Sequence, residues 1–309
     1  MNVLAPRDAP LAWRQLLRLG NVFSAASNVI AGWLIARGDW GPTGALALLA
    51  LGSMLMYAAG MALNDAFDAQ RDAELRPERP IPSGRISRGR AFAAGWTLLA
   101  GGLVASAASA VLLGRLGPVI VACCLAVMIV LYDAGLKATW AGPWAMAWCR
   151  VLNVLLGGCL AETNELATAA GVYAVSVGLY TAGLTMLATR EAGQPPRGHH
   201  RWGKETLAVA CGLLFAWPWT MVGLSATRGG PLAASIGLFA VAMFAALQGG
   251  RAARALNETA IRAAVSRLIV GFILIDACAA TAAAGWVGGA AVLTLLAPTA
   301  LAARRAPMT

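Results

Sequence analysis

The sequence predicts an all-α, polytopic membrane helical bundle of nine or ten transmembrane helices, organised as a single domain over residues 1–309. Hydrophobic residues make up 59% of the chain and charged residues 12%, and the mean hydropathy is +0.68. A soluble domain of this length could not bury that much apolar surface. Uncharged runs of about 20 residues recur along the chain, as transmembrane helices require. These runs are continuous rather than alternating, which is not the pattern of a membrane β-barrel.

The predicted spans follow one another with short connections. They cover approximately residues 15–36, 43–63, 91–113, 118–131, 143–160, 167–189, 207–226 and 232–247. The last apolar stretch, residues 268–303, is too long for a single span. Three glycines near its middle divide it into two: Gly285, Gly288 and Gly289. Nine spans remain the alternative if this stretch crosses the membrane once.

The net charge of +10 is concentrated in a few loops. Basic residues cluster at 71–90, 190–204 and 251–267 and at Lys137, all on one side of a ten-span topology. The positive-inside rule therefore predicts a plasma or inner membrane protein whose basic loops and both termini are cytoplasmic. This distribution fits a topology signal better than nucleic-acid binding. The six cysteines lie in apolar runs without zinc or redox spacing, which indicates packing residues.

A polar run follows the second predicted span and reads Asn64-Asp65-Ala66-Phe67-Asp68-Ala69-Gln70-Arg71-Asp72. On a continued helix Asn64, Asp68 and Asp72 are four residues apart. Asp65 lies three before Asp68, so all four polar side chains share one face. Carboxylates stacked in this way repel one another unless a cation binds them, and oxygen-only ligands favour Mg²⁺ or Ca²⁺. An ordinary positive-inside loop is the alternative, but it leaves the three stacked carboxylates unexplained.

Arginines follow these carboxylates closely, at Arg76, Arg79 and Arg85. A metal ion bridges phosphate oxygens and arginine binds them bidentately, so this combination is typical of a diphosphate site. A second polar cluster ends the fourth predicted span, Tyr132-Asp133-Ala134-Gly135-Leu136-Lys137.

These two clusters carry a resemblance to a known family. The pattern Asn-Asp-x-x-Asp-x-x-x-Asp, followed by Arg-Pro-x-Pro-Ser-Gly at residues 79–84, resembles the first aspartate motif of the UbiA-type intramembrane prenyltransferases. The Tyr132–Lys137 cluster resembles the Tyr-Asp-x-x-Leu-Lys element of that superfamily. Within the superfamily, the amino-acid sequence of residues 64–87 is most similar to that of the EboC-like branch. The resemblance covers nearly the whole chain in span order.

The resemblance implies a helical bundle around a central cavity that opens sideways to lipid. Cytoplasmic loops 64–90, 132–142 and 190–205 would cap the active site. The implied activity is Mg²⁺-dependent transfer of an isoprenyl group from a polyprenyl diphosphate to an acceptor. Aromatic acceptors are usual in the superfamily, whereas the EboC-like resemblance makes a cyclitol or other polyol a rival.

Residue by residue, the resemblance implies that the metal and diphosphate are bound by Asn64, Asp65, Asp68 and Asp72. Arg79 and Lys137 would neutralise the diphosphate, with Tyr132 and Asp133 beside the reacting carbon. The residues expected to take part in catalysis are therefore Asp65, Asp68, Tyr132, Asp133 and Lys137.

Arg18, Asn21 and Asn28 lie within the first predicted span, and Arg150 and Asn153 lie within the fifth. Unpaired polar groups are costly in lipid, so Arg18, Asn21, Arg150 and Asn153 are candidate functional residues, and Asn21, Arg150 and Asn153 are expected to bind substrate. For Asn21 and Asn153, hydrogen bonding between helices is an equally supported interpretation. Asp276, in the ninth predicted span, either has a structural partner or lines the cavity.

The second aspartate motif of the superfamily normally has several acidic residues after the sixth span. Here that place reads Thr189-Arg190-Glu191-Ala192-Gly193, and Glu191 is its only carboxylate. Glu191 could serve one metal ion alone, or Arg190 and Arg197 could partly replace the charge of a second ion, with Arg190 binding substrate. A third possibility is loss of catalysis, which leads to the competing function of a membrane carrier or export protein that retains the fold. A structural subunit of another enzyme would leave the stacked carboxylates unexplained.

Two further segments have simpler interpretations. The adjacent His199-His200 pair lacks a third ligand in the pattern, so a metal role is not favoured. Residues 251–267 carry arginines around apolar residues, which predicts an amphipathic helix in the membrane interface. A lid over the cavity mouth is the alternative for this segment.

Overall fold

The computed structural model describes residues 9–188, 202–222, 224, 230–254 and 258–305. These residues form helices and turns, with no strand among them. The helices are α1 (Ala9–Leu16), α2 (Val22–Arg37), α3 (Thr43–Phe67), α4 (Ala69–Leu75), α5 (Arg88–Leu113), α6 (Gly117–Ala134), α7 (Gly142–Gly158), α8 (Asn164–Ala188), α9 (Gly203–Ala216), α10 (Gly230–Arg254), α11 (Glu258–Leu293) and α12 (Leu296–Arg305). Short 3₁₀ turns occupy Leu136–Ala138 and Trp217–Met221.

The prediction of an all-α membrane bundle is confirmed, and each predicted span contains a helix. Within the described residues, six helical stretches are long and apolar enough to cross a membrane: Thr43–Phe67, Arg88–Leu113, Gly117–Ala134, Asn164–Ala188, Gly230–Arg251 and Thr259–Ala302. α2, at 16 residues, is apolar but shorter. The total of nine or ten spans stays a prediction.

The last stretch is divided at Gly285, as the sequence indicates. Gly285 has φ 74° and ψ −169°, a conformation that interrupts the helix and that glycine adopts at little cost. Beyond it the chain packs back on itself, because a Cβ on Gly288 would lie 2.7 Å from the Ala280 carbonyl oxygen. The C-terminal arm therefore lies against the half of α11 that precedes the kink.

A buried polar network joins α2, α7, α8 and α11. The carboxylate of Asp276 is fully buried and accepts hydrogen bonds from Ser27, Asn28 and Tyr173. The Asn28 side chain in turn accepts a hydrogen bond of 2.8 Å from Arg150. Asp276 therefore has a structural partnership, and the two charges of the network are bridged by one amide.

Close approach of α2 and α7 depends on glycine at the contact. A Cβ on Gly157 would collide with the Val29 carbonyl oxygen, and a Cβ on Gly32 would collide with the Val154 carbonyl oxygen. Small residues permit such backbone contact between membrane helices.

We expect Gly157→Ala to lower the free energy of unfolding by about 1–3 kcal/mol, because the added methyl group forces α2 and α7 apart. The measurement is thermal unfolding of the purified protein in detergent. Gly171→Ala on α8 is the matched control, since a Cβ there meets no atom within 4 Å. Equal melting temperatures for the two variants would contradict this packing.

Candidate functional site

The predicted carboxylate run lies at the end of α3, but the helix does not continue through it. α3 ends at Phe67 and α4 begins at Ala69, with Asp68 between them at φ −84° and ψ 2°. The backbone nevertheless keeps its helical register, since the Asp68 N–H donates to Asn64 O and the Asp72 N–H to Asp68 O. The four polar side chains of the run therefore remain close together despite the break.

Arg79 bridges two of these carboxylates. Its Nη1 lies 2.7 Å from Asp72 Oδ2 and 3.4 Å from Asp65 Oδ1. Arg18 approaches the same Asp65 oxygen, at 3.4 Å from Nη2. Asp65 and Asp72 are 4% and 5% exposed, so these guanidinium groups lie beside buried negative charge and help to balance it.

Lys137 holds the other two residues of the run. Its Nζ lies 2.9 Å from Asp68 Oδ2 and 2.9 Å from Asn64 Oδ1. The lysine comes from the 3₁₀ turn Leu136–Ala138, which follows α6 directly. The two motifs identified in the sequence are thus joined by direct contacts, although Asn64 and Lys137 are 73 residues apart.

Asp133 lies on the last turn of α6, beside this cluster. It is 3% exposed, and its Oδ2 has no hydrogen-bond partner. The charges of Lys137, Asp68, Arg18 and Asp65 all act on its carboxylate, so cations and carboxylates both surround it. Tyr132 is likewise within electrostatic reach of Arg18 and Asp68.

The loop that carries Arg79 is held by side chains around it. Ser83 Oγ donates to the Arg79 carbonyl oxygen at 2.6 Å, and Arg85 donates to Gln15 Oε1 on α1 at 2.8 Å. α1 also packs its apolar face against the ends of α3 and α5, where Leu16 is fully buried. Arg85 therefore fixes the loop, and sequence analysis did not identify its partner Gln15.

The polar residues of the predicted spans have different surroundings, and Asn21 lies in the turn just before α2. Asn21 is 3% exposed, and its Oδ1 has no hydrogen-bond partner. Asn153 accepts from Ser53 and donates to the Ala25 carbonyl oxygen, which is the helix–helix role considered for it. Arg150 donates hydrogen bonds to Ser24 and Asn28, both on α2. Arg190, Glu191, Arg197 and the His199-His200 pair lie outside the described residues.

An apolar groove of about 440 Å³ lies beside the Lys137 turn, between α6 and α7. Its lining includes Met128, Leu136, Trp140, Trp144 and Trp148. The three tryptophans are exposed; Trp144 and Trp148 are one helical turn apart on α7, and Trp140 lies in the turn that precedes this helix. The polar cluster thus has an apolar surface next to it.

The donor set of the carboxylate cluster fits a hard divalent cation, because every donor is an amide or carboxylate oxygen. In the described residues, however, no three His, Cys, Asp or Glu side chains are placed to hold an ion together. Arg79 and Lys137 form ion pairs with carboxylates that such an ion would bind. The residue types therefore suit Mg²⁺. In this structure the side chains of Arg79 and Lys137 balance the negative charge of the carboxylates that would bind the ion.

Comparison with known proteins extends these observations. A sequence model described as the UbiA prenyltransferase family matches residues 25–255. The chain is 34% identical over 199 residues to a digeranylgeranylglyceryl phosphate synthase of Methanoregula boonei, covering 64% of this chain and 67% of that protein. It is 31% identical over 148 residues to the enzyme of that name from Saccharolobus solfataricus, covering 48% of this chain and 51% of that protein.

Solved structures share the fold. A UbiA homologue from Archaeoglobus fulgidus, bound to DMAPP and Mg²⁺, has a TM-score of 0.61 and 17% identity, covering 85% of this chain and 98% of the other. A structure of digeranylgeranylglyceryl phosphate synthase has a TM-score of 0.60 and 18% identity, covering 91% of this chain and 99% of the other.

Proposed function

The chain belongs to the UbiA prenyltransferase family, and from this membership we propose that it transfers an isoprenyl group from a polyprenyl diphosphate to a polar acceptor within the membrane. The observation that carries the proposal is the cluster in which Arg79 and Lys137 meet the residues of the Asn64–Asp72 run. Carboxylate oxygens bind a metal ion and cationic side chains bind phosphate oxygens, so such a cluster can bind a diphosphate together with its metal ion.

The relatives support the same donor chemistry. A UbiA homologue from Archaeoglobus fulgidus has been solved with DMAPP and Mg²⁺ and with GPP and Mg²⁺. From the similarity to this homologue, Mg²⁺ is the proposed cofactor. The proposed ligands are Asn64, Asp65, Asp68 and Asp72, with Glu191 as a further ligand. When bound, Mg²⁺ would supply electrophilic assistance to departure of the diphosphate.

The chain's own residues would bind and orient the donor. Arg79 and Lys137 donate hydrogen bonds within the cluster and would pair with the diphosphate oxygens, as Arg190 would if it approaches the same loops. Tyr132 and Asp133, one turn before Lys137 on the same segment, would lie beside the reacting carbon. The tryptophan-lined groove provides apolar surface next to the cluster for hydrocarbon.

Asn21, Arg150 and Asn153 remain proposed substrate-binding residues of the bundle interior. Arg150 and Asn153 form hydrogen bonds with residues of α2 and α3, so any role of these two residues in substrate binding would combine with the structural one. The basic loops 71–90 and 190–204 support a cytoplasmic position for the active site and for both termini.

The acceptor is the less defined substrate. The name of the relatives, digeranylgeranylglyceryl phosphate synthase, favours a glyceryl phosphate acceptor. The EboC-like resemblance favours a cyclitol or other polyol. A carrier that retains the fold without catalysis is the competing function, favoured by the single carboxylate at the second motif.

Reconstitution in liposomes tests the proposal. We expect the purified protein to release diphosphate from geranylgeranyl diphosphate when geranylgeranylglyceryl phosphate and Mg²⁺ are present. Chelation of Mg²⁺ should reduce the rate of diphosphate release by at least about a hundredfold, because the negative charge that develops on the leaving diphosphate would no longer be stabilised by the ion. Movement of the lipid across the bilayer without diphosphate release would instead establish the carrier.

A further inference from the structure

Gln15, the last polar residue of α1, contacts the loop that carries Arg79. Its Oε1 accepts a hydrogen bond of 2.8 Å from Arg85 Nη1, across a separation of 70 residues in the chain. The two motifs of the proposed donor site, residues 64–72 and 132–137, do not include Gln15. Its contact with the loop is therefore a property of the folded bundle that the proposed function has not used.

Arg85 connects Gln15 to both sides of Arg79. Its Nη2 donates to the Glu78 carbonyl oxygen at 2.6 Å, and its Nε donates to Ser83 Oγ at 2.9 Å. Glu78 precedes Arg79 in the chain and Ser83 follows it. The Arg85 guanidinium group thus closes the loop around Arg79, and its third nitrogen attaches the closed loop to α1.

Ser83 completes the path to the Arg79 backbone. Its Oγ donates to the Arg79 carbonyl oxygen at 2.6 Å, and its N–H donates to the same oxygen at 3.0 Å. The chain turns directly afterwards at Gly84, whose φ of 75° is a left-handed conformation that glycine adopts at little cost. A continuous path of hydrogen bonds therefore runs from Gln15 through Arg85 and Ser83 to Arg79.

α1 is itself held firmly at this end of the bundle. Ala12 and Leu16 on its inner face are fully buried. They belong to one apolar cluster with Ile86, which is 3% exposed and follows Arg85 directly in the chain. Gln15 thus projects from an anchored helix, and α1 can serve as a fixed support for the loop.

The Arg79 side chain needs such support when the proposed site is filled. In this structure its Nη1 lies 2.7 Å from Asp72 Oδ2 and 3.4 Å from Asp65 Oδ1. Both carboxylates are also proposed metal ligands, and an ion that binds them competes with Arg79 for the same oxygens. The position of the guanidinium group beside the diphosphate then depends on the Arg79 backbone, and hence on the hydrogen bonds of the loop.

We propose that Gln15 is a positioning residue for the donor, and that it acts through Arg85 and Ser83 on the backbone of Arg79. This inference rests on the proposed prenyl transfer and adds a residue of α1 to its donor site. Gln15 touches neither substrate and affects the donor only through the Arg79 guanidinium group. Its loss therefore weakens donor binding and leaves acceptor binding unchanged.

Steady-state kinetics of the purified full chain in detergent test this inference, with geranylgeranyl diphosphate, geranylgeranylglyceryl phosphate and Mg²⁺. We expect Gln15→Ala to raise the KM for the donor by about 5–20-fold, because a hydrogen bond from a charged group is lost. The KM for the acceptor and kcat should stay within about twofold of wild type. Gln15→Glu retains an oxygen acceptor for Arg85, so its KM for the donor should stay within about threefold of wild type.

Ser87→Ala is the control for a loss of stability alone. Ser87 Oγ caps α5 by accepting from the Arg90 N–H at 3.3 Å, and it is not part of the path from Gln15 to Arg79. Loss of this cap should lower the melting temperature without raising the KM for the donor.

A double variant tests the route of the effect. In an Arg79→Met background, Gln15→Ala should reduce kcat/KM for the donor by less than about twofold further. The residue through which Gln15 acts is then already absent, so the two effects are not additive.

Several results would overturn the inference. A wild-type donor KM in Gln15→Ala, or an equal rise in the KM of both substrates, would remove the positioning role. A donor KM raised as much in Ser87→Ala or in Gln15→Glu would show that the path of hydrogen bonds is not the cause. Full additivity with Arg79→Met would mean that Gln15 acts by another route. A wild-type protein that consumes no donor would instead contradict the proposed prenyl transfer, and this inference with it.

Discussion

Asp68→Ala is expected to reduce Mg²⁺-dependent diphosphate release by about 10²–10³-fold. The change removes one proposed metal ligand and leaves Lys137 without the carboxylate that lies 2.9 Å from its Nζ. Lys137 would keep its bond to Asn64, so the fold should survive. The measurement is release of labelled diphosphate by purified protein in detergent, with melting temperature recorded for the same samples.

Glu74→Ala is the matched control for this variant. Glu74 lies on α4, six residues after Asp68, and is exposed. Removing an exposed carboxylate from the same segment changes the net charge by the same amount without touching the cluster. Equal rates of diphosphate release in the two variants would show that Asp68 is not a ligand of a metal ion that the reaction requires.

Arg79→Met should impair both stability and activity. Arg79 lies 2.7 Å from Asp72 and 3.4 Å from Asp65, and both carboxylates are buried. Removing one partner from a buried ion pair costs about 3–5 kcal/mol, because the remaining charge is left uncompensated. We expect a lower melting temperature and at least about a hundredfold loss of kcat/KM for the donor.

Arg79→Lys separates the effect of the positive charge at residue 79 from that of the guanidinium geometry, and Arg90→Met is the control. A lysine keeps the charge but cannot present the planar guanidinium group that spans two carboxylates, so stability should recover more than activity. Arg90 is exposed at the start of α5 and provides the control for loss of an arginine. A wild-type rate in Arg79→Met would contradict a role for this residue in donor binding.

Much of the fold could be predicted because long apolar runs specify helices directly. Gly285 also divides the last stretch where the glycines of the sequence indicated. The break at Asp68 was not predicted, since the polar spacing of residues 64–72 is equally compatible with a continuous helix. Local spacing defines a face, but it does not specify where a helix is interrupted.

Contacts between distant segments were harder to predict. The motif residues were identified, whereas the specific pairing of Arg79 with Asp65 and Asp72, and of Lys137 with Asn64 and Asp68, depends on how α3 and α6 pack. Asp276 illustrates the same limit, because its partners come from α2 and α8 and no sequence pattern relates them. Asn21 could be noticed as a polar residue near a span, but its missing donor is a property of the folded bundle.

Mass spectrometry of membrane lipids tests the central claim most directly. Extracts would be compared from cells that carry the gene, cells that lack it and cells that carry the Asp68→Ala form. Prenyl transfer predicts a prenylated lipid that is present only with the wild-type gene, and its mass would identify both the isoprenyl group and the acceptor. The same prenylated lipid at equal abundance in all three extracts would contradict the claim.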